Sequence, residues 1–564
     1  MTPSSRSGGE STPNHSVLDG LLVDPPVGKT YQSTTIEQSM GLYLTATVVF
    51  RLINFGRITL LAWYMTLQQM GLLNIILMIV STLIPLCSLG LSEALTRFVP
   101  LHESRGTLCA FLRRAGVLIT GVAAFSVAIM LIFAGRLGDL FYVQAFADPV
   151  VREQFRADAP LLTRLTAVVV GLNIFYFSLL GIFKGLRMFR ALSWLEITHG
   201  ALFIIGSVIM IATKQLSAFS LTIVFGVSVL LPVVYFGWRI IQVLSRRPTQ
   251  GLALQESDWE FRLLRFSVWL TLSGFTWQAL QYYSAWYLNK VYGPESAAVL
   301  TTVAKISQFI LIGAVSVSIV AMATVTKTWE SRGREAGERQ LSLAFRGTGM
   351  ALFFFCAALA LAKDLVMKIF RHDYAAGAEI VPLQLLFSLL GGFLAFLPGH
   401  FNLREKTRHA FWAWAAGLTA NVILAYQFTG PRLAPVTESA WWNSLGSILG
   451  TVFEPGFQDS LGLHSASWCA VLSMMLAMGL CLVLLRAEGV RLDRGCFIVI
   501  GASLLIVTRP WILAGGAAAL LVAFLRTNLI IDAQERQRLV QFVTESIRHV
   551  PFARWRGTGT KGQS

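Results

Sequence analysis

From Met40 onward, long apolar stretches alternate with short charged loops, and each stretch approaches the roughly 20 residues of helix that a bilayer core requires. Fourteen such stretches lie at about 40–65, 71–96, 115–134, 160–183, 191–212, 218–243, 264–289, 297–326, 343–362, 380–401, 410–428, 464–485, 495–508 and 511–525. The last two are short and separated only by Arg509-Pro510, and taken as a re-entrant hairpin they leave twelve spans. The pattern predicts an all-α polytopic membrane protein with about 14 transmembrane helices, arranged as 12 plus 2.

The flanks divide the chain further. Residues 1–39 are rich in Ser, Thr, Gly and Pro without an early apolar core, which points to a disordered cytoplasmic tail rather than a secretory signal. A charged linker at 244–263 separates one six-span block, 40–243, from a second that begins with five helices at 264–428. The loop 429–463, with Pro431, Trp441-Trp442 and Pro455, is expected outside, followed by helices 12–14 over 464–528. In the cytoplasmic tail 529–564, Leu539, Phe542, Val543, Ile547 and Val550 repeat at helical spacing, as in an interfacial amphipathic helix.

Composition agrees with a membrane chain. Hydrophobic residues make up 55% and charged residues 13% of 564, where soluble domains carry about a quarter charged. Together with a mean hydropathy of +0.62 this excludes a string of soluble domains, a disordered chain and a disulfide-stapled scaffold. The net charge of +16 suggests nucleic acid only until it is mapped. With the N-terminus inside, 32 of the 46 Lys and Arg fall in cytoplasmic tails and loops and 10 in the opposite ones, which is the positive-inside pattern and puts both termini in the cytoplasm. Clusters such as Arg113-Arg114 and Arg246-Arg247 are then anchors on anionic lipid, and no nucleic-acid partner is expected. The six cysteines form no C-x-x-C and the eight histidines no H-x-x-x-H, so no metal or cofactor is expected.

The informative residues are the charges inside spans, since an arginine at mid-bilayer costs about 2.5–3.5 kcal/mol on insertion scales and must face protein or water. The first span carries Arg51 and Arg57. At about 100° per residue, Tyr43, Thr47, Arg51, Asn54 and Arg57 share one arc of about 120°, opposite Thr45, Val49, Gly56 and Leu60. In the seventh span Ser267, Thr271, Gly274, Gln278 and Gln281 form a similar uncharged stripe. Both stripes open a six-span block, so a parallel repeat of two pseudo-symmetric halves around a midplane site is expected. The embedded cations Arg51, Arg57, Arg164 and Lys305 outnumber Glu93 and Glu196, which favours an anionic ligand such as a phosphate or diphosphate. Against this stands charge pairing within the protein: Arg51 and Glu93 are close enough in depth to pair, and Arg164, Glu196 and His199 lie near span ends where long side chains reach the interface. Trp63, Tyr64, Trp286 and Tyr287 fit an aromatic belt.

Three motifs carry a resemblance. Arg51-Leu-Ile-Asn54-Phe55-Gly-Arg57 resembles an opening Arg-x-x-Gly-Phe-x-Arg pattern, Met70-Gly71-Leu72 a Phe-Gly-Leu turn, and Leu89-Gly90-Leu91-Ser92-Glu93-Ala94-Leu95-Thr96-Arg97 a Leu-Gly-Leu-x-x-Ala-x-x-Arg helix end. These are patterns of the multidrug/oligosaccharidyl-lipid/polysaccharide exporter superfamily, and within it of the Wzx-type polysaccharide flippases. The resemblance covers about residues 40–110 best and 264–326 more thinly. It implies an alternating-access transporter of the inner membrane that moves a polyprenyl-diphosphate-linked oligosaccharide to the outer leaflet. By position it implies that Arg51, Asn54 and Arg57 contact the diphosphate and that Glu93 with Arg97 pair near an inner gate. Tyr283 and Ser284 stand where relatives often carry Asp, which puts an ion-coupled role there in doubt, and Ile58 replaces the acid usual in lipid II flippases.

Two other functions remain. A cation-coupled drug exporter of the same superfamily needs an embedded carboxylate where the first span has two arginines. A membrane glycosyltransferase, polymerase or ligase would need the acids Asp139, Asp148, Glu153 and Asp158, which are interleaved with Arg136, Arg152 and Arg156 as in a solvated loop. The charge count has a direct check. Single cysteines placed in the 184–190 and 402–409 loops should react only with reagents admitted to the cytoplasm, and labelling from outside would overturn the topology.

Overall fold

The computed structural model describes residues 36–104, 106–143, 149–186, 188–245, 259–403, 406, 408–429, 462–490, 492–528 and 530–537. In order, the helices are α1 (Ile36–Tyr64), α2 (Leu67–Cys87), α3 (Leu91–Ser104), α4 (Leu108–Ile132), α5 (Ala134–Gly138), α6 (Pro149–Gly185), α7 (Phe189–Ala212), α8 (Ala218–Ser245) and α9 (Trp259–Tyr292). Then follow α10 (Pro294–Arg332), α11 (Arg334–Leu361), α12 (Lys363–Met367), α13 (Val381–Leu403), α14 (Arg408–Phe428), α15 (Leu463–Ala487), α16 (Arg494–Ser503) and α17 (Pro510–Arg526). The chain is an all-α polytopic membrane protein. Among the described residues ten helical segments are long and apolar enough to cross a bilayer, and the last two are shorter apolar helices. The α9 and α14 helices are equally long but more polar. The expected outer loop, the C-terminal amphipathic helix and nearly all of the N-terminal tail lie outside the described residues; α1 begins at Ile36, four residues before the expected boundary.

One span departs from expectation. The stretch 71–96 is two helices, because α2 ends at Cys87 and the chain turns through Leu89 and Gly90, both at positive φ (49° and 63°), before α3 begins. A side chain at Gly90 would meet the Ser267 carbonyl oxygen at 2.8 Å and the Thr271 hydroxyl at 2.9 Å. Only glycine satisfies both the left-handed backbone and this approach to α9. The break swings Glu93 and Arg97 onto the exposed side of α3, and it removes the depth relation on which an Arg51–Glu93 pair depended.

Packing divides the helices into two groups with α2 between them. The α1 helix lies along α7, and α6 packs against α3, α4 and α8; in the second group α14 lies between α9 and α15, and α10 packs on α11 and α13. The α2 helix reaches across to α9 and α10, while α1 also touches α10. Glycines permit the crossing. A Cβ on Gly71 would stand 2.2 Å from the Pro294 carbonyl oxygen, and one on Gly274 would stand 3.2 Å from Pro85. One turn beyond Gly71, the buried Asn74 amide donates to the Thr301 hydroxyl at 2.8 Å.

At the end of the bundle where α11, α14 and α16 begin, polar contacts tie loops to helices. Arg346 is buried and joins Glu535 at 2.8 Å, Asp493 at 3.2 Å and the Ile530 carbonyl at 2.6 Å. Nearby, Lys406 Nζ donates to Glu488 at 2.5 Å, and the His409 ring stands 3.2 Å from the same carboxylate. The Lys406 hydrogen bond, with the nearby charges of Lys406 and His409, holds the Glu488 carboxyl below the usual carboxylate range.

Two outcomes follow. Gly71→Ala should lower the unfolding midpoint of the detergent-solubilised protein by the equivalent of about 1–3 kcal/mol of overpacking, whereas Gly56→Ala, where a Cβ meets nothing within 4 Å, should leave it unchanged. Because the folded Glu488 carboxyl is lowered, its contribution is complete above the ordinary carboxylate range and is lost as pH falls through the lowered value. Thermal melts from pH 7 to pH 3 should therefore fall less steeply on the acid side for Glu488→Gln than for the wild type.

Candidate functional site

The polar arc of α1 faces inward, as the cost of exposing arginine to hydrocarbon demands. Arg57 is 7% exposed and Arg51 and Asn54 are half-buried, while Val48, Val49 and Leu52 point out of the bundle. Together with α2 and α10 this arc encloses a cavity of about 110 Å³, room for several waters. Arg51, Asn54 and Arg57 line it from α1, Asn74 from α2, and Lys305 and Gln308 from α10, among apolar side chains such as Phe55 and Phe309. Three of its lining residues are cations and none is a carboxylate. Field lines from three like charges in a low-dielectric wall converge on the cavity, so it attracts anions.

Each cation is held differently. The Arg57 guanidinium carbon lies 3.8 Å from the ring centroid of Phe203 on α7, and its buried Nε and Nη1 have no hydrogen-bond partner among the described residues. Arg51 lies 5.1 Å from the Phe50 ring centroid and within electrostatic reach of Glu196 on α7. Lys305 Nζ stands 5.7 Å from the Tyr282 ring. The Asn54 amide donates to the Phe50 carbonyl one turn back at 2.9 Å, and its Oδ1 remains for other contacts.

The α7 side of the site rests on one close approach. A Cβ on Gly200 would come within 2.9 Å of the Phe50 ring, so glycine there lets α1 lie directly on α7. The His199 ring packs among Phe50, Tyr176, Phe203 and Phe225, with Ser228 Oγ 3.2 Å from its Nδ1. His199 and Glu196 thus border the α1 cations from behind rather than lining the cavity.

Beyond Lys305 and Gln308 lies a second, smaller chamber of about 40 Å³, lined by Gln281, Tyr282, Ser284, Ser307, Gln384 and Ser388 among others. Its polar atoms are largely paired, Ser388 with Ser307 at 2.8 Å and Gln384 with Ser467 at 3.1 Å. The seventh-span stripe is thereby split: Gln281 lines this chamber, while Ser267, Thr271 and Gly274 form the surface against α2 and the Gly90 turn.

Of the residues expected at a site, Arg51, Asn54, Arg57 and Lys305 share one cavity. Arg164 does not join them. It is exposed on α6 while its neighbours Thr163, Thr166 and Ala167 face inward, so one step around the helix removes it from the bundle interior. Among the described residues no ion pair joins Glu93 to Arg97. The acids expected in an outer loop are partly helical: Glu153 and Asp158 lie in the first turns of α6, where Glu153 pairs with Arg156 at 2.8 Å on the surface, Asp148 lies outside the described residues, and no acid or thiol cluster with metal-ligand geometry occurs among those described. Sequence reading missed Asn74, Gln308 and Phe203. The first two were visible as lone amides in apolar helices; nothing marks Phe203 among 38 phenylalanines.

Several solved structures have this fold. Over 90% of this chain and 97% of the other, the protein is similar to the lipid II flippase MurJ in an inward closed conformation, with a TM-score of 0.57 at 15% identity. It is similar at a TM-score of 0.56 and 14% identity to a transporter of the MOP superfamily from Pyrococcus furiosus, over 80% of this chain and 94% of that one, and at 0.56 and 13% to an inward-facing multidrug resistance MATE family transporter, over 81% and 96%. No curated protein sequence matches. The architecture is therefore that of the MOP-superfamily membrane transporters. The polysaccharide biosynthesis protein family matches residues 36–329, and the chain belongs to that family. It is a multi-pass membrane protein of polysaccharide biosynthesis.

Proposed function

We propose that this transporter flips a polyprenyl-diphosphate-linked oligosaccharide from the inner to the outer leaflet of the cytoplasmic membrane. The observation that carries the reading is the cavity between α1, α2 and α10 lined by three cations and no carboxylate, with an arginine whose buried Nε and Nη1 lack hydrogen-bond partners among the described residues. A buried donor without a partner costs about 1–3 kcal/mol, more for a charged group, and a diphosphate would recover that cost with charge-assisted hydrogen bonds. Arg51 and Arg57 are the diphosphate contacts, with Asn54 and Lys305 beside them; Arg164 has no place in this set.

The same charge pattern argues against export of cationic drugs, because a cation entering the cavity would meet three like charges and no carboxylate. The family's link to polysaccharide, and the likeness to a structure named as a lipid II flippase, support a lipid-linked glycan as the substrate class. In this reading the helices through 243 and those from 264 are the two halves that rock about the cavity, both termini are cytoplasmic, and Glu93 and Arg97 act near the inner mouth.

Complementation of a deletion strain tests it. Arg51→Ala and Arg57→Ala, made at wild-type levels, should abolish surface glycan and accumulate lipid-linked precursor. Arg57→Lys should retain a fraction of transport, since an ammonium keeps the charge but lacks the bidentate fork. Normal surface glycan in both alanine variants would reject the proposal.

A further inference from the structure

The two buried nitrogens of Arg57 raise a question that the diphosphate reading does not answer: what holds the guanidinium in place before a ligand arrives. Among the described residues its side chain takes part in no ion pair, and Nε and Nη1 take part in no hydrogen bond. Its close contact is the Phe203 ring at 3.8 Å. A guanidinium carbon reaches that separation by lying flat over the ring, since an edge-on group would be held farther away by its own N–H atoms. Stacked in this way, the charge is stabilised through its face while the N–H donors, which lie in the guanidinium plane, are left unused.

The ring itself is braced. Phe203 is 2% exposed, with Phe225 at 5.2 Å and His199 at 6.5 Å between ring centroids. Gly200, one turn earlier on α7, removes the side chain that would hold α1 away. The titratable or charged groups around this stack are His199 behind it and Arg51, Glu196 and Lys305 around the same region.

We propose that Phe203 is a positioning residue for substrate, a plate that holds the Arg57 guanidinium in the cavity with Nε and Nη1 unoccupied among the described residues. An acid in its place would occupy those donors and neutralise the charge. An aliphatic side chain would support neither the charge nor its orientation, and Arg57 would be free to swing toward water or toward Glu196. The inference rests on the diphosphate reading of the cavity and adds the element that preorganises it.

Binding of undecaprenyl diphosphate to the purified full-length protein in nanodiscs tests the idea for wild type, Phe203→Leu, Phe203→Tyr, Arg57→Ala and the Arg57→Ala/Phe203→Leu double variant. Loss of a desolvated cation–π contact should weaken binding by about tenfold in Phe203→Leu, while Phe203→Tyr, which keeps the ring, should stay within about twofold of wild type. On the Arg57→Ala background Phe203→Leu should add nothing, because the ring acts through the guanidinium. Phe203→Met, unbranched and without a ring, carries the comparison should the leucine variant lose its fold. Unchanged binding in Phe203→Leu beside a weakened Arg57→Ala overturns the positioning role. A further loss in the double variant equal to that in the single one makes Phe203 merely structural. Wild-type binding by Arg57→Ala overturns the diphosphate reading, and the positioning role with it.

Discussion

A positive charge in hydrocarbon must find protein or water, and that constraint orients α1. Its two arginines lie six residues apart on one arc, so a single rotation of the helix hides both, and that rotation turns Val48, Val49 and Leu52 outward. Once α1 is turned, its neighbours are constrained in type. The α7 helix offers a flat aromatic surface and a glycine at the point of approach, and α10 brings a lysine to the same cavity. The cavity is the space that α1, α2 and α10 leave around Arg51, Arg57 and Lys305.

The α2 helix has the opposite task. It is apolar along most of its length and meets both helix groups, and small residues bring it close to α9 and α10: Gly71 against Pro294 and Gly274 against Pro85, with Gly90 of the following turn against Ser267 and Thr271. These backbone approaches lie beside one buried hydrogen bond, Asn74 to Thr301, and within a cluster of large buried side chains that includes Leu73 and Ile76 of α2 and Leu300 and Val303 of α10.

The site was legible only where chemistry and geometry coincided. Arg51, Asn54 and Arg57 were found because charge inside a span is costly and helical periodicity places the three together. Arg164 met the first criterion and failed the second: it stands on the outward side of α6, one step around the helix from the buried Thr163. The Arg51–Glu93 pairing failed because depth counting assumed one continuous helix, whereas the Leu89-Gly90 turn redirects the chain. Glu196, more than a hundred residues away in sequence, is the acid near Arg51.

The sequence by itself determined the class of structure. Span length, the scarcity of charge and the one-sided basic loops follow from the bilayer as solvent, which acts on every segment locally and so leaves a local record. It also determined which face of α1 is buried, since that is periodicity within one helix. Only the tertiary structure decided which helix supplies each partner: that Phe203 of α7 lies under Arg57, that Lys305 of α10 completes the cavity, and that Asn74 reaches Thr301. Those pairings join residues as many as 254 positions apart, and helix packing sets them through shape and small-residue contacts that leave no mark on either partner's own sequence neighbourhood.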